Sequence, residues 1–150
     1  MSFGLDEEVK MEENSSTYEA EGIVNIDRKR RPFAYWTVGG KEYRMKLTTA
    51  VICQLEDKFK RNLLDMLFSS GSVPPLGVML TITQGAMKSW EHGIKYSDVQ
   101  ALFDQYCEEG GTQMTFMTDV LMEIYKVSGF FSKNQLEDMD EKLEAAKAEL

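Results

Sequence analysis

With 150 residues, 43% of them apolar and 28% charged, the chain has the size and composition of one globular domain. No apolar run approaches the ~20 residues of a membrane span. The acidic start Met1-Ser2-Phe3-Gly4-Leu5-Asp6-Glu7-Glu8 lacks the basic-then-apolar order of a signal peptide, so a cytoplasmic location is the default expectation. The net charge of −8 belongs to the ends: −7 over residues 1–27, −3 over 132–150 and +2 between them. Repulsion of nucleic acid is thus a property of the tails, not of the central body.

Residues 1–17 are polar, acidic and without period, and read as a disordered tail that extends to about residue 27. Ile23-Val24-Asn25-Ile26 is a short strand or a linker. Arg28-Lys29-Arg30-Arg31 follows as four consecutive bases, either a solvated linker or a nucleic-acid patch. A β-hairpin is expected next. Phe33 to Val38 is aromatic and β-branched, Gly39-Gly40 supplies a two-residue turn, and Lys41 to Leu47 alternates with Tyr43, Met45 and Leu47 on one face. A lone hairpin is marginal in water, so it must pack on helices, pair with another strand, or pair with another copy.

Helical periodicity then takes over. A first helix is predicted over 49–68, capped by Thr48 or Thr49, with Ile52, Leu55, Phe59, Leu63 and Met66 inward. Ser69 to Pro75 breaks the chain. A second helix, over 76–91, has no charge from Leu76 to Met87. Leu76, Met79, Leu80, Thr83, Met87 and Trp90 share one broad face, and Val78 and Ile82 add apolar surface elsewhere, which implies a central core helix or one partly committed to a partner. Ser97-Asp98-Val99-Gln100 matches a capping box that opens a third helix to about Cys107. A fourth is predicted over 113–128 with Met117, Val120, Leu121 and Ile124 inward, closed by Ser128-Gly129. Ser132-Lys133-Asn134-Gln135 is a second capping box. It starts a last helix to 149 in which Leu136, Met139, Leu143, Ala146 and Leu150 form a heptad seam too short to stand alone. The expected fold is mainly α: four to five helices preceded by a β-hairpin over 28–131, with 132–150 as part of that domain or an amphipathic helix appended to it.

The chain offers little chemistry. A catalytic site needs a nucleophile, base or metal held by convergent groups, and the one histidine, His92, sits beside Gly93 as a helix-end or surface residue. Cys53 and Cys107 lie among apolar residues and read as reduced, buried small hydrophobes. Neither Gly39-Gly40 nor Gly110-Gly111 has the context of a phosphate loop. Asp138-Met139-Asp140-Glu141 lacks the central glycine and the spacing of a calcium loop. No catalytic, cofactor or metal residues are expected. Residues 76–128 offer only Lys88, Lys95 and Lys126 as bases, too few for a phosphate track, so a nucleic-acid partner is disfavoured. Binding to protein remains. Ten methionines suit adaptable apolar contacts, and Phe130-Phe131 is either a staple for the last helix or an exposed hook. The candidate partner-binding residues are Met79, Met87, Trp90, Met117, Phe130, Phe131, Leu136 and Met139. Self-association through the hairpin or the C-terminal helix is a further option.

The order of features resembles a known family. A hairpin with Gly39-Gly40-Lys41-Glu42-Tyr43 leads into Leu47-Thr48-Thr49 and Leu55-Glu56. A helix, the Val73-Pro74-Pro75 break, an apolar helix and the Tyr96-Ser97-Asp98-Val99 helix start follow. Then come the Gly110-Gly111 break and a helix ending in Ser128-Gly129-Phe130-Phe131. Over roughly residues 33–131 this layout is similar to the tail assembly chaperones of siphophages, myophages and related prophage elements, especially those of Gram-positive hosts. The acidic N-terminal tail is not something that pattern demands. The resemblance implies a non-catalytic assembly factor that binds the tape measure protein and helps recruit tail tube subunits in the host cytoplasm. It carries over no catalytic residues. Two alternatives stand beside it: a structural tail completion or connector protein whose hairpin adds to a ring of strands, and a small nucleic-acid-binding regulator acting through Arg28-Lys29-Arg30-Arg31.

Overall fold

The computed structural model describes residues 32–68 and 73–149. The expected acidic tail, the segment 18–26 and the basic cluster 28–31 lie outside them. The described chain is mainly helical with a two-stranded antiparallel hairpin at its start. Strand β1 (Ala34–Val38) pairs with β2 (Lys41–Met45) in the register Ala34↔Met45, Trp36↔Tyr43 and Val38↔Lys41. Gly39 and Gly40 both take positive φ, 61° and 80°, as a type I′ turn requires, and this twist matches that of the strands. The alternation sends Ala34, Trp36, Val38 and Met45 into the core and leaves Tyr35 and Thr37 outside.

The hairpin is tied to the helices from three sides. Lys46 N–H donates to Ala86 O at 2.9 Å, and the Trp90 indole N–H donates to Lys46 O at 2.9 Å. Leu47 N–H donates to Ser128 Oγ at 3.0 Å. At the turn, Gly39 N–H donates to the Glu109 carboxylate at 3.0 Å. That contact, after the Gln105 side-chain amide at 2.8 Å, holds the Glu109 carboxyl below the usual carboxylate range. Beneath β1, Trp36 packs edge-on against Tyr106 and Phe116 with centroids 5.7 and 5.1 Å away, and Phe103 closes the cluster, the offset geometry that aromatic quadrupoles favour.

Helix α1 (Thr49–Phe59) is capped by Thr48, whose Oγ1 accepts Val51 N–H at 3.2 Å. The single helix expected over 49–68 is in fact two. Lys60 turns left-handed at φ 56° and ends α1, and α2 (Leu63–Phe68) restarts behind Asn62. Asn62 Oδ1 accepts Asp65 N–H, and Glu56 reaches over to accept Leu63 N–H at 2.9 Å. The inward spacing survives the break, so Leu55, Leu63 and Met66 are all buried.

Helix α3 (Leu76–Met87) is the central one, with Met79, Leu80, Ile82, Thr83, Ala86 and Met87 enclosed. It stops at Met87, not at residue 91, so Trp90 lies in the following turn. Helix α4 (Tyr96–Glu108) starts earlier than the Ser97 box predicts. Lys95 is the cap position, and Asp98, three residues on, accepts Lys95 N–H at 2.9 Å. The next segment, together α5, runs without a break through Gln113–Thr115, a π-helical stretch Phe116–Leu121 and Met122–Val127. Helix α6 (Lys133–Glu149) follows the second predicted box as expected: Ser132 N–H donates to Gln135 Oε1 and Gln135 N–H to Ser132 Oγ.

Both cysteines correct the expectation of burial: Cys53 and Cys107 are free and exposed. Cys53 falls on the outward side of α1, between buried Val51 and Leu55, and Cys107 lies at the end of α4 beyond the edge of the core. No described helix is long and apolar enough to cross a membrane.

Candidate interaction surface

Among the described residues, two grooves and the α5–α6 junction offer surface to a ligand or partner. The first groove, about 390 Å³, lies between β2, the α3–α4 turn and α4, and is lined by Lys41, Tyr43, Glu91, His92, Ile94 and Asp98. Its carboxylates are already engaged. Glu91 accepts Arg44 N–H at 2.8 Å and faces Arg44 Nε at 3.5 Å, and Asp98 serves the α4 start. Lys41 sits 4.8 Å above the Tyr43 ring. His92 is exposed. Among the described residues no group of three His, Cys, Asp or Glu side chains comes together to hold a metal ion. The second groove, about 220 Å³, runs between α1 and α3 beside Gly85 and is edged by Lys58 and Lys88; Lys88 Nζ is engaged with Gln54 Oε1 at 3.1 Å.

The third region is the junction of α5 and α6. Lys126 is a buried cation, 7% exposed. It forms ion pairs with Glu123, one turn back on α5 at 2.9 Å, and with Asp140 on α6. Burial pushes the ammonium's pKa down, and hydrogen bonds to Asp140 and Glu123 more than reverse this, leaving it above the ordinary lysine value. A buried charge persists only where such partners compensate its lost hydration. Beside it, Tyr125 is wholly buried, and its hydroxyl donates to Leu63 O at 2.9 Å. Burial, aided by the Glu56 carboxylate, raises the phenol well above its usual value. Phe130 stacks on Tyr125 with centroids 5.0 Å apart. Phe131 meets Phe68 edge-on at 6.3 Å, and Phe68 is 53% exposed.

The residues predicted from sequence divide accordingly. Met79 and Met87 are fully enclosed in the core, so neither offers surface to a partner. Both face inward because α3 is covered on nearly all sides, not on one stripe. Trp90 is half-buried, packed on Phe33 at 4.9 Å and spent on its bond to Lys46. Met117 is half-buried on the π-helical stretch. Phe130, Phe131, Leu136 and Met139 are half-buried at the α5–α6 junction. Lys126, Asp140 and Phe68 were not foreseen from the sequence. A lysine in the last turn of a helix reads as a solvated dipole partner, and nothing in its spacing reveals a carboxylate fourteen residues away.

A family model described as "Family of unknown function (DUF6096)" matches residues 33–150. No curated protein and no solved structure matches the chain. The family match starts at the hairpin and runs through the C-terminal helix, and on it the chain belongs to the family of unknown function DUF6096.

Proposed function

We propose that the protein is a non-catalytic phage or prophage tail assembly chaperone, acting in the host cytoplasm, that binds the tape measure protein and helps recruit tail tube subunits. The observation that carries this reading is the order of features: a Gly-Gly hairpin, a helix, a proline break, an apolar helix, and a helix ending in Ser128-Gly129-Phe130-Phe131. The aromatic and thioether side chains left part-exposed at the α5–α6 junction, Phe68, Phe130, Phe131 and Met139, are consistent with holding an apolar client. Co-expression with the tape measure protein encoded in the same genome is the test. A rise in its soluble fraction supports the assignment, and no gain in solubility sinks it.

A structural connector in the finished tail is the second reading. It draws on the outer edge of β1. The alternation of the ladder directs the Tyr35 and Thr37 N–H groups away from β2, and no described residue is bonded to them, which leaves an edge suited to strand addition. Detection of the protein in purified particles would favour the connector over the chaperone.

A further inference from the structure

We propose that the outer edge of β1 pairs antiparallel with the same edge of a second copy of this chain, about a two-fold axis at Trp36. The hairpin has two outer edges, and the fold treats them differently. On β2 the outward N–H of Arg44 donates to Glu91 at 2.8 Å, and just beyond the strand that of Lys46 donates to Ala86 O at 2.9 Å. At the turn, Gly39 N–H is taken by Glu109 at 3.0 Å. On β1 the outward N–H and C=O groups of Tyr35 and Thr37 have no bond to any described residue. The strand also lacks the devices that shield an edge. Ala34-Tyr35-Trp36-Thr37-Val38 holds no charge and no proline, and pairs with β2 without a bulge. Tyr35 stands 46% exposed on this strand.

The open groups form a short, self-complementary set, and this selects the occupant. With Trp36 facing its counterpart, Tyr35 lies opposite the partner's Thr37, and Thr37 opposite the partner's Tyr35. Each of these pairs exchanges both of its N–H···O=C bonds, which satisfies all the open groups of Tyr35 and Thr37 in both copies. Next along the ladder, Phe33 meets the partner's Gly39, whose N–H is held by Glu109 in each copy. The ladder is therefore stopped at both ends by the same contact. A strand from another protein would meet that stop at one end only. Charge does not oppose the pairing, because β1 is uncharged and the acids that make the chain −8 belong to its ends. Such isologous contacts are the commonest in homo-oligomers. This inference does not rest on the chaperone reading, and it competes with the connector reading for the same edge.

The test is sedimentation equilibrium of the full-length chain, with amide exchange of single residues followed by NMR. An interface of this kind is small, so the dimer should form with a Kd on the order of 10–100 μM. From about 5 to 500 μM chain, the Tyr35 and Thr37 amides should slow by about tenfold or more. Trp36 and Val38, bonded to β2, should be protected throughout. Thr37→Pro removes an outward donor and leaves the β2 ladder alone; it should raise the Kd more than about tenfold. If the proline opens the hairpin, seen as lost Val38 protection, charge variants decide. A Tyr35→Lys/Thr37→Lys chain sets lysine opposite lysine across the axis. It should be monomeric alone and should pair with a Tyr35→Glu/Thr37→Glu chain. A wild-type chain that stays monomeric at about 500 μM overturns the proposal. So does a dimer whose Tyr35 and Thr37 amides exchange freely, or one that survives the paired lysines. Slow exchange of those amides at every concentration overturns it too, because the edge would then be covered within one chain.

Discussion

Gly111→Ala tests whether the aromatic cluster under the hairpin is as tightly closed as its geometry implies. A Cβ added at Gly111 meets the Tyr106 ring at 2.3, 2.5 and 2.5 Å, against the 3.5–4.0 Å that two carbons need. The ring has no simple escape. It lies 5.7, 5.9 and 5.8 Å from Trp36, Phe103 and Phe116, and its hydroxyl bonds Thr115 Oγ1 at 2.8 Å. Overpacking of this kind costs about 1–3 kcal/mol, and losing the hydroxyl bond adds about 1 kcal/mol. The expected destabilisation is therefore about 2–4 kcal/mol, or a fall of about 5–15 °C in Tm for a chain of this size.

Its neighbour gives a control with a different mechanism. Gly110 has φ 106°, and a Cβ added there would meet nothing within 4 Å, so Gly110→Ala costs only backbone strain, about 1–2 kcal/mol. The decisive assay is a double-mutant cycle by urea denaturation. On a Tyr106→Leu background the ring is gone, and Gly111→Ala should cost less than about 1 kcal/mol. If the full cost persists without the ring, the steric account is wrong and Gly111 is required for its backbone conformation instead.

Four further outcomes follow from single contacts. Lys60→Gly should stabilise the protein by about 0.5–1 kcal/mol in thermal melts, because it removes the strain of a left-handed lysine and sacrifices only the exposed Lys60–Asp57 pair. Tyr125→Phe should cost about 1–3 kcal/mol in urea titrations, because it leaves the Leu63 carbonyl without its buried donor. Stability should also fall above about pH 10. The folded state keeps the Tyr125 and Lys126 protons at a pH where the unfolded chain has released them, so rising pH favours unfolding; a Tm that is flat from pH 9 to 11 would contradict this. Cys53 and Cys107 should both react with Ellman's reagent in the native state, and thiols that react only after denaturation would restore the buried reading.

The hairpin and its turn were legible, with the outer strand ends one and two residues shorter than expected, because two local signals agree there: a Gly-Gly pair that permits positive φ, and alternation on both sides. The helix break at Lys60 was hidden for a physical reason. Ile52, Leu55, Phe59, Leu63 and Met66 keep three- and four-residue spacing across it, and the left-handed residue is a lysine, not the glycine that usually marks a helix end. Asn62, which caps α2, was the available clue. Methionine content pointed towards a partner surface, yet Met45, Met66, Met79, Met87 and Met122 are all buried. Composition reports how adaptable a side chain is, not which way it faces.

The least legible stretch was the end of α5, and its difficulty explains why the candidate surface was only half found. Sequence periodicity assumes that a helix buries one face. From Met122 to Val127 every residue but Glu123 is buried, because three different elements cover three sides. The hairpin is tied there through Leu47 to Ser128, α2 through Leu63 to Tyr125, and α6 through Asp140 to Lys126. Two of those ties join backbone to a side chain, and the third is an ion pair between groups that each look solvated when read alone. A helix surrounded in this way must meet a polar demand on each side. On the α6 side the buried Lys126 ammonium meets it through the Asp140 carboxylate, a pairing between residues fourteen positions apart that periodicity has no means of showing.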